Sequence, residues 1–481
     1  VFWLSLLVGI AGLFLVFDGR TQPRIGLIVA VALPLLRAAL DRPWRHRQLA
    51  AAHRLWDSQA DPAASERRRW LAALLFVSVP ALFFFALPPN YHIDSGDSWP
   101  VIPTAASVIR QGNFEIGEYV PIAPAGYLEQ RGPDVLLPYC TVDTGHGIYS
   151  VYPVGMVAPA LPVVAVSTLV GADFQRAKVL SRLDRWAAML FAAATLAAFH
   201  RLSLALATPR GAWAASMLLA VGSTLFTVVA QSMWQHGGVV LGAILILLFE
   251  FDPRWRAHRA ATLLQGIAAG WMLACRTNSG ALLAVIGIWI LVRDPLRALK
   301  FGAAAILGVA PWVAFYLAVY GTPLGPSAAQ TVGTLWVPLQ WDNWAGVMFS
   351  PGRGFLTFQI WAILIPLGIW LARPDRTVRG WPWMATAAIL AQSVVLACWW
   401  NWWGGTCWGS RLMTDAIPFA GLLMLPAVDA MVKSRKGRWA LVAIAVLGSL
   451  PHQRPFWGVP LTQPWTDRDP STFWLLPRWK G

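Results

Sequence analysis

Runs of roughly 13–20 apolar residues, the length that crosses or nearly crosses a hydrocarbon core, recur along the whole chain and are separated by short segments of very uneven charge. The pattern predicts spanning helices at about 1–17, 24–40, 70–88, 187–205, 212–230, 236–251, 260–275, 279–293, 301–320, 356–373, 381–399, 414–432 and 439–451. That makes about thirteen, the shorter of which need local bilayer thinning or burial inside a bundle.

One further apolar stretch, 151–171, decides the topology. Counted as a span, it puts the basic loops 251–259, 293–300, 373–379 and 433–438 on the side opposite the long basic segment Arg42–Arg69, which holds Arg45, Arg47, Arg54 and the run Arg67, Arg68, Arg69. Laid in the interface, it returns every one of them to the cytoplasmic side, as the positive-inside rule requires. Its three prolines and two glycines also suit a bent, non-spanning segment. The expected fold is therefore an all-α polytopic membrane protein. Its first large outer loop, 89–186, carries two interfacial helices, near 98–111 and 151–170. Around it lie a helical hairpin with its basic loop (1–69), a transmembrane module (70–320), a second module (321–451) with outer loops 321–355 and 400–413, and an outer tail (452–481).

Composition agrees: 57% hydrophobic residues, 13% charged and a mean hydropathy of +0.53 belong to a polytopic membrane chain. The net charge of +15 does not point to nucleic acid, because the basic residues sit in short clusters between apolar runs. Four cysteines without CxxC spacing give neither a zinc site nor a disulfide framework. Cys140 and Cys407 both fall outside, where this topology permits a bridge. The first run, Val1 to Val16, lacks a basic leader and a small-residue cleavage site and reads as a retained helix.

On this map polar clusters gather on the non-cytoplasmic face. Directly after a membrane exit, Asp94 and Asp97 flank Gly96. Either carboxylate can serve as a general base, or as the cap of the helix that follows. His146, Tyr149 and Tyr152 open the interfacial segment, as hydrogen-bonding partners of a substrate or as an interfacial aromatic belt. Gln235 and His236 lie between two helices, where a histidine can contact substrate or cap a helix end. Arg353 stands between two glycines, in a loop suited to an anion or simply in a tight turn. The densest cluster, Trp399 to Arg411, contains Asn401, Trp402, Trp403, a Gly-Gly pair and Arg411 and is followed by Asp415. Flat indoles suit sugar rings or a lipid chain, and an arginine at the membrane rim suits a phosphate. Arg276, Arg353 and Arg411 all stand on the side that should be poor in arginine, which favours group transfer from a phosphate-linked donor. An intramembrane transport pathway is the rival use of such charges.

The order of these features carries a resemblance. An outer-loop aspartate after an early helix, Tyr149-Ser150-Val151-Tyr152-Pro153, Trp234-Gln235-His236, Ser350-Pro351-Gly352-Arg353-Gly354, and Trp402-Trp403-Gly404-Gly405 followed by Gly409-Ser410-Arg411 together resemble bacterial members of the GT-C glycosyltransferase superfamily over about 70–435. Protein mannosyltransferases and aminoarabinose transferases are relatives. The resemblance implies a multi-pass plasma-membrane enzyme, its active site facing the periplasm, that takes sugar from a polyprenyl-phosphate donor. Asp97 then takes the base role, with Asp94 as the fallback. Arg411, Arg353 and Arg276 are the donor-phosphate candidates, and His146, Tyr149, Tyr152, Gln235, His236, Asn401, Trp402 and Trp403 the sugar or acceptor candidates. The expected reaction is a single inverting displacement onto a cell-envelope glycan or lipid-linked acceptor. No cofactor is required, because guanidinium groups can neutralise a leaving monophosphate; a divalent cation on Asp94 and Asp97 is the alternative. The extra N-terminal hairpin departs from the family pattern. A flippase or transporter of a lipid-linked sugar and a non-catalytic lipid-sugar-binding scaffold are the competing functions.

Overall fold

The computed structural model describes residues 42–61, 63–86, 95–131, 136–326, 336–372, 380–405 and 409–453. The expected helices 1–17 and 24–40, Asp94, Cys407, the basic loop 373–379 and nearly all of the tail lie outside them. The chain forms two compact units, the first from residues up to Tyr152 with Met156–Ala193 and Ala230–Met233, the second from Pro153–Gly155, Ala194–Val229 and the chain from Trp234 onward.

In the first unit, helix α1 (Arg42–Asp57) carries much of the basic segment and meets α2 (Glu66–Ala86) where Trp56 packs edge-on against Phe76, centroids 5.1 Å apart. Helix α2 is long and apolar enough to cross a membrane. Its middle, Leu74–Ser78, widens into a π-turn just before Pro80, whose ring and missing N–H disturb regular α-bonding at that point. After the turn 95–100, α3 (Val101–Gln111) buries nearly all of its first two turns and ends at Gly112, φ +72°. It packs against α4 (Val157–Leu169). Thirteen residues rise about 20 Å, short of a hydrocarbon core of about 30 Å. Between α3 and α4 lie two antiparallel hairpins, β1 (Leu128–Gln130) with β2 (Leu136–Pro138) and β3 (Thr141–Asp143) with β4 (Ile148–Ser150). These short ladders were not foreseen by the all-α expectation. Glu115 stitches the second hairpin to the end of α3, its carboxylate accepting from Gly117 N (2.7 Å) and Ile148 N (2.9 Å). Helix α5 (Ala177–Ser203) completes this unit up to Ala193 and continues into the second.

The second unit is a helical bundle: α6 (Pro209–Gly222), α7 (Gln235–Phe251), α8 (Ala261–Cys275), α9 (Gly280–Arg293), α10 (Pro295–Tyr320), α11 (Trp341–Phe349), α12 (Ile365–Leu371), α13 (Trp381–Ala397), α14 (Ile417–Met431) and α15 (Arg435–Gln453). Helices α6 and α10 start with an Asp or Thr cap and a proline at the first helical position, as at Thr208-Pro209 and Asp294-Pro295. Two expected spans are interrupted. The 212–230 run stops at Gly222, where the Ser223 hydroxyl donates back to Leu219 O (2.6 Å) and the chain turns extended. The 356–373 run splits into Phe355–Phe358, a 3-10 segment Ile360–Leu364 and α12, in whose first turn Pro366 sits, the position where its missing N–H costs least. Among the described residues, three helices are long and apolar enough to cross a membrane: Glu66–Ala86, Pro295–Tyr320 and Arg411–Met431, the last being α14 with its 3-10 lead-in.

Helices α8 and α10 meet backbone to backbone. A Cβ added at Gly266 would lie 2.5 Å from Phe301 O, one at Gly270 2.3 Å from Ala305 O, and one at Gly308 2.6 Å from Ile267 O. Small residues spaced four apart are the usual means of bringing membrane helices this close. A buried polar layer at one end of the bundle pairs Arg201 with Asp252 (3.2 Å) and Arg297 with Glu250 (2.5 Å), so part of the basic-loop charge is spent inside the protein.

Candidate functional site

In the first unit the chain turns at Ser95–Pro100, and Asp97 is part-exposed on that turn. Three contacts shape the turn. Ser95 Oγ accepts from Asp97 N at 3.2 Å. Gly96 lies against the Tyr139 ring, where a Cβ would sit 2.4 Å from the ring and the ring would have to shift to admit it. Ser98 Oγ lies 2.6 Å from Ser232 Oγ, which donates to the buried carboxylate of Asp184. Tyr139 and Cys140 join the two hairpins, with Tyr139 edge-on to Tyr127 and Cys140 O accepting from Val151 N at 2.8 Å. The Cys140 thiol is pushed up to about 12, by burial first, with the nearby Asp97 charge adding to it. It therefore stays a neutral, inert neighbour of the carboxylate. Tyr149 and Tyr152 are half-buried on the hairpin that leans on Cys140, whereas His146 is exposed in the turn at that hairpin's opposite end.

In the second unit the start of α7, the end of α8 and the lead-in to α14 bring His236, Arg276 and Asp415 together. His236 Nδ1 donates to Asp415 Oδ1 (2.7 Å), and Arg276 Nη1 donates to the other oxygen (2.8 Å) and lies 3.2 Å from His236 Nε2. Gln392 Nε2 on α13 approaches the same carboxylate at 3.4 Å. Asp415 is fully buried and His236 nearly so, while Arg276 stays part-exposed. Arg411 lies within electrostatic reach of His236 and stacks over the Trp234 ring, 4.4 Å from its centroid.

The Gly-Gly pair has a definite use. Gly404 (φ +79°) and Gly405 (φ +71°) adopt the left-handed conformation that other residues resist. This turns two successive carbonyls toward two arginines: Arg411 Nη2 donates to Gly404 O (2.7 Å) and Arg353 Nη2 to Gly405 O (3.2 Å). Asn401 closes the turn by accepting from Gly405 N at 2.9 Å. The sequence-predicted arginines Arg353 and Arg411 thus converge on one turn, with Arg411 part-exposed and Arg353 buried.

Other expected contacts are placed differently. Trp402 and Trp403 are buried, and the Trp402 ring fills the space over Gly346, so their faces are used in packing; Trp400, beside them, is 46% exposed. Gln235 and His236 are buried at the helix start. Sequence reasoning did not assign roles to Asp415, Asp184, Tyr139 or Trp234. A lone acid at the head of an apolar run, as Asp415 is, was the available signal, since a charge there needs a partner. Among the described residues no group of three or more His, Cys, Asp or Glu side chains is placed to hold a metal ion.

No protein-family model matches the sequence, and no curated protein does. The chain is similar to solved structures of the Archaeoglobus fulgidus oligosaccharyltransferase. The apo form matches at TM-score 0.45, the form tethered to an acceptor peptide containing the NVT sequon at 0.41, and AglB with an inhibitory peptide and a dolichol-phosphate at 0.43. Identity is 13% in each, over 81–82% of this chain. The chain spans 55% of the length of those proteins.

Proposed function

We propose that this chain is an inverting glycosyltransferase that moves a sugar from a polyprenyl-phosphate donor to a cell-envelope glycan or lipid-linked acceptor on the non-cytoplasmic face of the membrane. The observation that carries this reading is Asp97: a part-exposed carboxylate, held on a rigid turn shortly after a membrane-length helix, in the position that the motif order assigns to a base.

In the reaction, Asp97 takes the proton of the acceptor hydroxyl as that oxygen attacks the anomeric carbon, and the bond from that carbon to the phosphate oxygen breaks. The electron pair leaves with polyprenyl phosphate. Arg411 and Arg276, both part-exposed, meet the charge developing on that phosphate; stabilisation of this kind is commonly the largest catalytic contribution. Arg353, being buried, acts by holding Gly405 and so the turn that presents Arg411. Tyr149 and Tyr152 on the second hairpin are the acceptor-side hydrogen-bonding groups. The apolar tail of the donor runs between bilayer and helices.

Purified protein in lipid nanodiscs, offered a panel of polyprenyl-phosphate sugars with an envelope glycan fraction, tests this directly. Release of free polyprenyl phosphate by wild type and its loss in Asp97→Asn is the expected result. Tight donor binding without release by wild type would sink the transferase reading in favour of a transporter or scaffold. Equal release by both proteins would remove Asp97 from the base role.

A further inference from the structure

Two adjacent residues of α5, Asp184 and Arg185, have no part in the chemistry just described, yet they grip the chain on both sides of the Asp97 turn. Asp184 is buried, and each of its carboxylate oxygens is used: Oδ1 accepts from Met233 N at 2.9 Å and Oδ2 from the Ser232 hydroxyl. With the Ser232 proton committed to Asp184, the 2.6 Å bond between the two hydroxyls is donated by Ser98, one residue beyond Asp97, whose Oγ also lies 3.0 Å from Ser95 O across the turn. Arg185 works in the other direction. Its guanidinium donates to Phe85 O (2.7 Å), a carbonyl in the last turn of α2, and to Ala230 O (3.0 Å), and it also contacts the Gln231 side chain. One turn of α5 therefore fastens the end of the membrane helix, the segment 230–233 and the turn bearing the carboxylate. All of these groups belong to the first unit.

We propose that Asp184 and Arg185 are positioning residues for Asp97, Asp184 acting through Ser232 and Ser98 and Arg185 through Phe85 O and the 230–231 segment, to hold its carboxylate where an acceptor hydroxyl arrives. The proposal rests on the transferase reading given above. Its physical basis is that a buried carboxylate with both oxygens hydrogen-bonded is a rigid anchor, and that a base must stay within hydrogen-bond reach of the proton it removes. Asp184→Asn keeps the shape but replaces one acceptor oxygen by a donor facing a hydroxyl or an amide that already donates, so the anchor slackens. A base displaced by an ångström costs turnover while leaving the donor's own contacts alone.

The test combines hydrogen exchange with kinetics on full-length protein in nanodiscs. In Asp184→Asn, and to a smaller degree in Ser232→Ala, amides 95–101 exchange faster than in wild type, while kcat for polyprenyl phosphate release drops about 10- to 100-fold, the range for a small misplacement of a catalytic group. KM for the donor stays within about twofold of wild type, as expected for loss of an interaction felt only in the transition state. Asp252→Asn, another buried carboxylate, paired with Arg201, serves as the control for general loss of stability. It leaves exchange at 95–101 and kcat of the folded protein unchanged. Unaltered exchange at 95–101 in Asp184→Asn would overturn the proposal, as would an equal fall of kcat in Asp252→Asn. Faster exchange in a protein whose wild type shows no turnover at all would uphold the brace and sink the transferase reading, so the two failures are told apart.

Discussion

Asp97 and Asp415 are both aspartates at the head of a helical segment on the outer side of the expected topology, and the fold treats them in opposite ways. Asp415 is sealed, with both oxygens engaged by His236 and Arg276 and an amide at the edge of reach. Asp97 is part-exposed, and what surrounds it fixes its backbone: a serine oxygen on its N–H, a tyrosine ring on the preceding glycine, a serine pair on the following residue. Burial with matched partners turns a carboxylate into a structural counter-charge, because removing it strands the guanidinium paired with it and leaves the imidazole without its acceptor. Holding the backbone while leaving the carboxylate within reach of solvent makes a group that can accept a proton from a visitor. The two acids thus differ first in burial, Asp415 sealed and Asp97 part-exposed.

The contrast can be broken in several ways. The largest expected effect is on turnover in Asp97→Asn, which should fall by about 10²- to 10⁴-fold, with unfolding free energy changed by no more than about 0.5 kcal/mol. A loss of folded protein in that variant would show that Asp97 is structural after all. Asp415→Ala should do the reverse and destabilise by about 3–5 kcal/mol, the usual result of unpairing a buried ion pair; thermal unfolding in detergent reads it, and an unchanged transition would end the distinction. Arg411→Ala should weaken donor binding about tenfold, or about 1.4 kcal/mol, by titration with a polyprenyl-phosphate sugar. Arg411→Lys should recover only part of that, since a flat guanidinium stacks on Trp234 and an ammonium does not. Smallest, Gly96→Ala should cost about 1 kcal/mol, the low end for overpacking, because the far end of Tyr139 can swing aside; Tyr139→Leu in the same chain should relieve it. No effect of Gly96→Ala on either stability or turnover would mean that the ring does not hold the turn.

Much of the helical order was legible from the chain. The expected 236–251, 260–275 and 279–293 became Gln235–Phe251, Ala261–Cys275 and Gly280–Arg293, because Asp-Pro pairs and polar breaks punctuate the apolar runs there. The 356–373 run failed because hydropathy averages over Pro366, whose effect is on backbone bonding. The charge bias picked out Arg276, Arg353 and Arg411, and the fold gives each a defined partner. It could not supply those partners: Asp415 is 139 residues from Arg276, and Gly405 is 52 from Arg353. The Asp184–Arg185 pair escaped notice because two adjacent charges pushed the expected start of that span to 187. Trp402 and Trp403 read as open stacking faces, since nothing in a row of tryptophans reveals that left-handed glycines will fold the row inward.

The glycine seam between α8 and α10 has a mechanical consequence. Bare backbone cannot shift rotamers to accommodate strain, so the two helices should move as a plate. Among the described residues, only 11% of the apolar window of α10 is buried, a surface of the kind that lipid would cover. The plate also ends at Arg276, the residue immediately after α8. A thinner or thicker bilayer, met by tilting, would then pull on the Arg276–Asp415 contact; donor affinity flat across nanodiscs of graded acyl length would refute this. On this view the length of the surrounding fatty tails acts as a tension setting on Arg276, applied from outside through two helices with nothing soft between them.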